Sequence, residues 1–268
     1  MENIILPTKN TWCPGCGNFG IQNALKEVLM EIDKNKTVVV TGIGCHGKMA
    51  DYLDVNTFYS LHGRAIPSAV GIKIGNEELK VICCVGDGDA YSEGIAHLIH
   101  AAKRNSNITV LVHDNHAFSL TVKQATSTSP RGFKGSTTPK GSIEDPINPL
   151  EMMLSVGATF VARGYAGKVE HLKNLILRGI NHQGFSFVEI LQPCIAWYNT
   201  YPAYNERVYE MEEDLSLEDA RKKAREWDYN SEEKIALGVF YKKEKQTFEE
   251  QMGKVFKINT EELLEKSK

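Results

Sequence analysis

Two cysteines separated by two residues stand near the start of the sequence, in the stretch TWCPGCGNFG from Thr11 to Gly20. Such a pair can exchange disulfides, or it can supply two ligands of a metal ion or an iron–sulfur cluster. Cys45 in GIGCHG and Cys194 in LQPC each follow a short apolar run that is typical of a strand. All four thiols can therefore meet at one edge of a sheet. Three alternatives follow: a [4Fe–4S] cluster, a zinc ion, or a dithiol formed by Cys13 and Cys16.

The other two cysteines, Cys83 and Cys84, lie inside the apolar run KVICCVGDGD. Free cysteine is among the most buried residue types, so both are predicted to be core residues. Six cysteines in a chain without an export signal indicate metal ligation or redox chemistry rather than a disulfide framework.

A second motif places Asp87 between two glycines in CVGDGDAYSEG, at the end of a buried apolar run. Glycines let the backbone approach phosphate oxygens closely, and the N-terminus of a following helix favours negative charge. The pair Asp114–Asn115 ends the next apolar run. A carboxylate from Asp87 and an amide oxygen from Asn115 suit Mg²⁺, so the pattern predicts a magnesium–diphosphate site. The alternative is that GDGD forms only a tight turn.

Apolar runs alternate with amphipathic segments along the chain. We predict strands at 37–42, 80–89, 107–115, 157–164 and 185–194, and helices from Asn18 as N-cap, at 64–76, at 92–105 and at 168–181. This order predicts an α/β fold with a doubly wound parallel sheet, helices on both faces and ligands beyond the carboxyl ends of the strands. A polar loop from Thr121 to about Ser142 is too long to be a mere connector.

The amino-acid composition changes from Glu206 to Lys268, where charged residues are frequent and long apolar runs are few. The stretch SLED at 216–219 resembles a capping box, which starts a helix. We therefore expect two regions: residues 1–205 as the domain that carries the cysteine motifs and the magnesium–diphosphate motif, and residues 206–268 as a charged helical extension.

Charge and hydropathy exclude several classes of protein. A formal net charge of −3 leaves no basic excess to neutralise nucleic-acid phosphates. Apolar runs stay well short of the roughly 20 residues that span a bilayer, so we expect no membrane association. The first residues lack the basic and apolar regions of a signal peptide, and a cytoplasmic location is expected.

The motifs, taken in order, resemble the β subunit of the 2-oxoacid:ferredoxin oxidoreductases, in particular the branch that acts on 2-oxoglutarate or a broad range of 2-oxoacids. The resemblance covers about residues 10–210 and rests on TWCPGCGNFG, TGIGCHGK, YSLHGRAIPSAVGIKIGN, VGDGDAYSEG, HAAKRN and DNHAFSLTVKQAT. It implies a thiamine diphosphate-binding fold. It also favours the [4Fe–4S] cluster over zinc or a dithiol, with Cys13, Cys16, Cys45 and Cys194 as ligands.

The resemblance also implies roles for individual residues. Magnesium would be held by Asp87, Asn115 and the carbonyl of Ala117. The diphosphate would lie along Gly88, Asp89, Ser119 and Leu120. The cofactor would contact Ile43, Gly44, Cys45, His46 and His62, and both histidines are catalytic candidates. Lys48 is a third, because a cation three residues after Cys45 can point into the same cavity and pair with a substrate carboxylate. Ser119 stands where the family more often has glycine.

The implied reaction is the oxidative decarboxylation of a 2-oxoacid to an acyl-CoA. Thiamine diphosphate serves as the electron sink, and electrons pass through the cluster to ferredoxin. We expect 2-oxoglutarate as substrate, with pyruvate or other 2-oxoacids as the alternative. Because a second thiamine-type domain is missing from the sequence, an α subunit should supply the glutamate that activates the cofactor. The rival functions are a non-redox thiamine-dependent decarboxylase subunit and a zinc-stabilised interaction subunit.

Overall fold

The computed structural model describes residues 4–211 and 215–253, and this part of the chain contains ten β-strands and nine α-helices. The strands are β1 (Thr37–Thr41), β2 (Asn56–Tyr59), β3 (Lys80–Gly86), β4 (Thr109–Asp114), β5 (Ala117–Phe118), β6 (Gln124–Ala125), β7 (Phe160–Tyr165), β8 (Ser186–Leu191), β9 (Val208–Glu210) and β10 (Ile235–Lys242). The helices are α1 (Asn18–Glu31), α2 (Met49–Tyr52), α3 (Ala65–Gly75), α4 (Ile95–Arg104), α5 (Pro149–Val156), α6 (Val169–Asn181), α7 (Tyr201–Arg207), α8 (Leu217–Ala224) and α9 (Phe248–Met252).

Eight of the strands form one sheet in the order β2-β1-β3-β4-β8-β7-β10-β9. All neighbours pair in parallel except β7 and β10, which are antiparallel. Strands β4, β7 and β8 are buried along their whole length, as expected for the centre of a parallel sheet covered on both faces. Strands β5 and β6 form a separate antiparallel hairpin beyond the end of β4.

Helices cover both faces of the sheet and bury a core on each side. Helices α1 and α6 pack against one face, where Leu25 and Leu172 are fully buried. Helices α3, α4, α5 and α8 cover the other face, where Leu98 and Leu150 are fully buried. Cys83 and Cys84 lie on opposite faces of β3 and are fully buried, which confirms them as core residues. The doubly wound α/β fold is confirmed.

The predicted strands and helices occur where expected, with ends that differ by up to about three residues. Two local predictions are corrected. Strand β3 ends at Gly86, and a π-helical turn at Gly88–Glu93 takes the place of its predicted last residues. Asn18 is not an N-cap: Gly17 holds that position, and the buried Asn18 Oδ1 lies 2.8 Å from His113 Nδ1. The side chain thus serves a tertiary contact instead of the helix end.

The segment predicted as a helical extension is only partly helical. Helices α8 and α9 lie in it, and Ser216 caps α8 by accepting a hydrogen bond from the backbone N–H of Asp219. However, strands β9 and β10 join the main sheet, and Ile235 and Phe240 on β10 are fully buried. The all-helical prediction is wrong here, because a short apolar run between charged flanks pairs with β7. Residues 212–214 and 254–268 of the predicted extension lie outside the described residues.

Among the helices of the described residues, none combines the length and the apolar character needed to cross a lipid bilayer. The longest of these helices, α1, is amphipathic: its apolar side chains face the core and its charged side chains face away from it.

Candidate functional site

Four neighbouring parallel strands, β1, β3, β4 and β8, end at the same edge of the sheet and deliver the predicted site residues to one place. The loops after β1, β2, β3 and β4 line a cavity that we call the cofactor cavity. Its predicted lining residues are Ile43, Gly44, Cys45, His46, His62, Asp87, Gly88, Asp89, Asn115, Ala117, Ser119 and Leu120. Gly86, Phe118 and Thr121 also line it and were not anticipated from the sequence. The topology therefore gathers the GDGD and DN motifs as expected.

Asp87 contributes a buried carboxylate to the lining of this cavity. Burial, and then the nearby Asp114, raise the pKa of the Asp87 carboxyl to about 7. Its Oδ2 accepts hydrogen bonds from Thr126 Oγ1 at 2.5 Å and from Thr128 Oγ1 at 3.3 Å. A buried carboxylate beside a second one is destabilised as an anion, and a divalent cation would offset that cost. The donor chemistry at this position fits magnesium.

The side chain of Asn115 is held in one orientation by hydrogen bonds at both ends. Its Nδ2 donates to Gln192 Oε1 at 2.8 Å, so its Oδ1 is turned towards the loop that follows. That oxygen accepts from the backbone N–H of Ala117 at 3.1 Å and from Ser119 Oγ at 3.0 Å. An amide oxygen fixed in this way beside Asp87 fits a hard cation, and the hydroxyl of Ser119 is used to orient it.

Asp89 lines the cofactor cavity, but its carboxylate is turned towards two histidines. Its Oδ1 lies 3.2 Å from His62 Nδ1 and accepts a 2.5 Å hydrogen bond from the backbone N–H of Gly63. Its Oδ2 lies 3.4 Å from His46 Nε2. The contact of Asp89 with a diphosphate stays a prediction.

A second cavity, which we call the cysteine cavity, lies directly beside the first. Its lining includes all four predicted thiols and the predicted cation, Cys13, Cys16, Cys45, Cys194 and Lys48. Trp12, Gln192, Ile195 and Trp197 are among the residues that complete the wall. The two cavities share Cys45, Asn115, Ser119 and Leu120. The strand ends therefore bring the CxxC pair and the two later cysteines to one place, next to the cofactor cavity.

The four thiols are close enough to influence one another electrostatically. Burial, and then the neighbouring charges of Cys45, Cys194 and Cys13, raise the pKa of Cys16 to about 12. Burial also raises the pKa of Cys45, whereas the positive charge of Lys48 lowers it. Thiols that resist ionisation when free gain most from a bound cation, which stabilises the thiolate.

These thiols match a soft metal or an iron–sulfur cluster in kind and number. All six cysteines of the chain are free of disulfides. Within residues 4–211 and 215–253, however, no three His, Cys, Asp or Glu side chains stand close enough together to hold a metal ion as they are placed. Lys48 Nζ donates to the carbonyl of Thr11 at 3.4 Å at the rim of the same cavity.

Three polar residues that support the site, Thr126, Thr128 and Gln192, were not identified from the sequence. The two threonines lie in the long polar loop, whose length indicated a function without saying which residues carry it. Gln192 follows β8, and its Nε2 lies 3.6 Å from Cys16 Sγ as a hydrogen-bond donor. The sequence does indicate Gln192 in one way, because it is a polar residue directly after a buried strand.

Comparison with known proteins places the chain in a family. Residues 42–190 match the family model described as thiamine pyrophosphate enzyme, C-terminal TPP binding domain, and residues 194–257 match the model for the C-terminal part of the pyruvate ferredoxin oxidoreductase β subunit. The β subunit of 2-oxoacid:ferredoxin oxidoreductase 1 from Aeropyrum pernix is 40% identical over 90% of this chain and 81% of that relative. The chain is a β subunit of the 2-oxoacid:ferredoxin oxidoreductase family.

Other relatives and a solved structure agree. The 2-oxoglutarate synthase subunit KorB of Archaeoglobus fulgidus is 37% identical to this β subunit over 76% of each chain. The structure of 2-oxoglutarate:ferredoxin oxidoreductase from Magnetococcus marinus with 2-oxoglutarate, coenzyme A and succinyl-CoA bound has a TM-score of 0.89 and 33% identity, covering 99% of this chain and 94% of that one. The family predicted from the motifs, the thiamine diphosphate-binding fold and the oxidoreductase class are confirmed.

Proposed function

We propose that this β subunit takes part in the coenzyme A-dependent oxidative decarboxylation of 2-oxoglutarate. The products are succinyl-CoA and CO₂, and two electrons pass singly through a [4Fe–4S] cluster to two ferredoxins. The observation that carries the proposal is the shared wall between the cofactor cavity and the cysteine cavity, which includes Cys45 and Asn115. A decarboxylation site and a one-electron carrier would be direct neighbours there.

The cofactor cavity supplies the groups that would hold magnesium thiamine diphosphate. Asp87, Asn115 and the carbonyl of Ala117 would ligate Mg²⁺, and the diphosphate would run past Gly88, Asp89, Ser119 and Leu120. When bound, thiamine diphosphate provides the electron sink for loss of CO₂. Other residues that line the same cavity would orient the cofactor and exclude water. These are Ile43, Gly44, His46 and His62.

The cysteine cavity supplies four thiols and the Lys48 cation. Cys13, Cys16, Cys45 and Cys194 would hold the cluster, because four cysteines are the common ligand set of a [4Fe–4S] centre. Lys48 lies at the same cavity and would pair with the distal carboxylate of 2-oxoglutarate. The names of the relatives from Archaeoglobus fulgidus and Magnetococcus marinus, which concern 2-oxoglutarate, support this choice of substrate.

The site needs a partner to be complete. Among the described residues, no glutamate lines the cofactor cavity. An α subunit would therefore supply the carboxylate that activates thiamine diphosphate and would cover the cavity. Ferredoxin would approach the side of the cluster, since Cys13 is exposed.

Measurements on the purified complex, prepared without oxygen, test the proposal. We expect about four irons per β chain after subtraction of iron in other subunits, with matching acid-labile sulfide and bound thiamine. Steady-state rates with 2-oxoglutarate, pyruvate and other 2-oxoacids, coenzyme A and ferredoxin then rank the substrates. Zinc without iron would favour a structural role for the cysteines. Thiamine with neither iron nor ferredoxin reduction would favour a non-redox decarboxylase.

A further inference from the structure

Asp89 stands between two histidines at the edge of the cofactor cavity. The distances are 3.4 Å from Asp89 Oδ2 to His46 Nε2 and 3.2 Å from Asp89 Oδ1 to His62 Nδ1. The backbone N–H of Gly63 donates to the same Oδ1 at 2.5 Å and so fixes the carboxylate from the His62 side. One carboxylate thus faces one ring nitrogen of each histidine.

The atoms that face each other are buried and have little else to bind. Asp89 is 2% exposed and His46 is 6% exposed. In the part of the chain that the structure describes, His46 Nε2, His62 Nδ1 and Asp89 Oδ2 make no hydrogen bond of standard geometry to any other group. Buried polar atoms are costly when unpaired. A small rotation of either ring would let it donate to the carboxylate.

Two glycines make room for this arrangement. A Cβ atom at Gly42 would lie 1.5 Å from Asp89 Oδ2, so no larger residue can follow β1 while Asp89 keeps its place. A Cβ atom at Gly86 would lie 2.7 Å from His46 Nδ1. The glycines at the ends of β1 and β3 therefore seat the Asp89 carboxylate and the His46 ring.

The position of the Asp89 carboxylate argues against direct contact of this group with a diphosphate. A carboxylate aimed at phosphate oxygens would repel them, because both groups are negative. Here the carboxylate is directed at the two rings. The His62 side chain is 35% exposed, lines the cofactor cavity and lies 5.7 Å from the Phe118 ring.

We propose that Asp89 is a positioning residue, which orients the His46 and His62 rings at the cofactor, and that its carboxylate does not contact the diphosphate. The inference rests on the proposed function, since it assigns the cavity to thiamine diphosphate. With Asp89 in place, each histidine would donate one ring nitrogen to the carboxylate. The other nitrogen of His62 would then be available on the cavity side.

The test compares Asp89→Asn, His62→Gln and the double variant in the assembled complex. We expect each single variant to lower kcat about 10- to 100-fold, as for misplaced catalytic groups. The dissociation constant of thiamine diphosphate, followed by circular dichroism, should change less than about threefold, within the range of small context effects. The double variant should be no slower than the slower single variant, because both changes remove the same arrangement. Glu93→Gln, an exposed acid on the same turn, is the matched control and should leave kcat and thiamine affinity unchanged.

Two results would overturn the inference. One is a loss of thiamine affinity of about tenfold or more in Asp89→Asn with normal kcat at saturating cofactor, which marks a diphosphate contact. The other is a double-variant loss equal to the product of the single losses, which marks independent roles. A crystal structure of the Asp89→Asn complex should show the His46 and His62 rings turned from their present orientation, and unmoved rings would also contradict the inference. This last readout is independent of turnover, so it still applies if the wild-type complex oxidises no 2-oxoacid and the proposed function fails.

Discussion

Arg163 on β7 donates a hydrogen bond from Nε to the Glu189 carboxylate on β8 at 2.7 Å, with both side chains at most 1% exposed. The Tyr229 hydroxyl completes the group: it accepts from Arg163 Nη2 at 3.0 Å and donates to Glu189 at 2.6 Å. The Arg163 guanidinium also lies 5.1 Å from the centre of the Trp227 ring. Tyr229 and Trp227, which follow Glu206 in the chain, thus contact a buried ion pair of the sheet.

Removing one partner of this pair should be strongly destabilising. Glu189→Gln leaves the Arg163 guanidinium buried without its countercharge, and we expect the free energy of unfolding to fall by about 3–5 kcal/mol. Urea denaturation followed by circular dichroism measures the change. The matched control is Glu210→Gln, which breaks the exposed 2.7 Å pair with Lys168 and should cost less than about 1 kcal/mol. Equal losses in the two variants would contradict the role of burial.

The long polar loop reaches back to the carboxylates at the strand ends through Thr128. Its hydroxyl lies 2.8 Å from Asp114 Oδ1 and 3.3 Å from Asp87 Oδ2. In Thr128→Val these buried oxygens lose a hydrogen bond without a replacement, so we expect a loss of about 1–3 kcal/mol in the free energy of unfolding. Thr128→Ser keeps the hydroxyl and should restore most of it. Urea denaturation of both variants decides, and a larger loss in Thr128→Ser than in Thr128→Val would show that the methyl group, rather than the hydroxyl, matters.

Asp87 should be needed for thiamine diphosphate but not for the cluster. Asp87→Ala removes the proposed carboxylate ligand of magnesium, and we expect the purified complex to retain almost no thiamine while its iron content is unchanged. Asp51→Ala, an exposed acid on α2, should retain both. Thiamine and iron are measured on the same preparation. Full thiamine occupancy in Asp87→Ala would show that the magnesium assignment is wrong.

Much of the site could be predicted from the sequence because it depends on strand ends. The GDGD and DN motifs each follow a buried apolar run, and β3 and β4 are direct neighbours in the sheet, so Asp87 and Asn115 share one cavity. Cys45 and Cys194 follow β1 and β8 for the same reason. The alternation of strands and helices was enough to predict this shared edge.

Other features could not be predicted because they depend on packing between distant segments. Thr126 and Thr128 reach Asp87 only because the long loop folds back, and a Ser- and Thr-rich sequence does not say which hydroxyl will do so. Arg163 and Glu189 look like ordinary charged residues until their strands pair. The turn of Asp89 towards two histidines depends on the space left by Gly42, which lies far from Asp89 in the sequence.

Substitution of a cysteine should lower the iron content only where that cysteine lines the cysteine cavity. Cys194→Ser replaces a thiol at the cavity by a poor ligand for iron, and we expect most of the iron and the visible absorbance of the complex to be lost. Cys83→Ala, in the apolar core of β3, should keep the iron and only lower the free energy of unfolding. Anaerobic iron and sulfide assays of both complexes provide the test. Normal iron in Cys194→Ser would remove that residue from the ligand set.

Lys48 should distinguish 2-oxoacids by their distal charge. It lines the cysteine cavity, and its Nζ donates only a long 3.4 Å hydrogen bond to the carbonyl of Thr11, so it can turn to a substrate carboxylate at small cost. Hydrogen bonds to charged groups contribute about 1.5–3 kcal/mol, which corresponds to about a 10- to 150-fold effect. In Lys48→Met we therefore expect kcat/KM for 2-oxoglutarate to fall by about that factor.

The same variant should leave kcat/KM for pyruvate within about threefold of wild type, because pyruvate has no distal carboxylate for Lys48 to bind. Lys103→Met, an exposed lysine on α4, is the control for a general effect of removing a positive charge and should change neither substrate. The ratio of the two kcat/KM values is the decisive measurement, because a change in folding or cluster content affects both substrates equally. A parallel fall for 2-oxoglutarate and pyruvate would place Lys48 at the cofactor or the cluster instead of at the substrate's distal end.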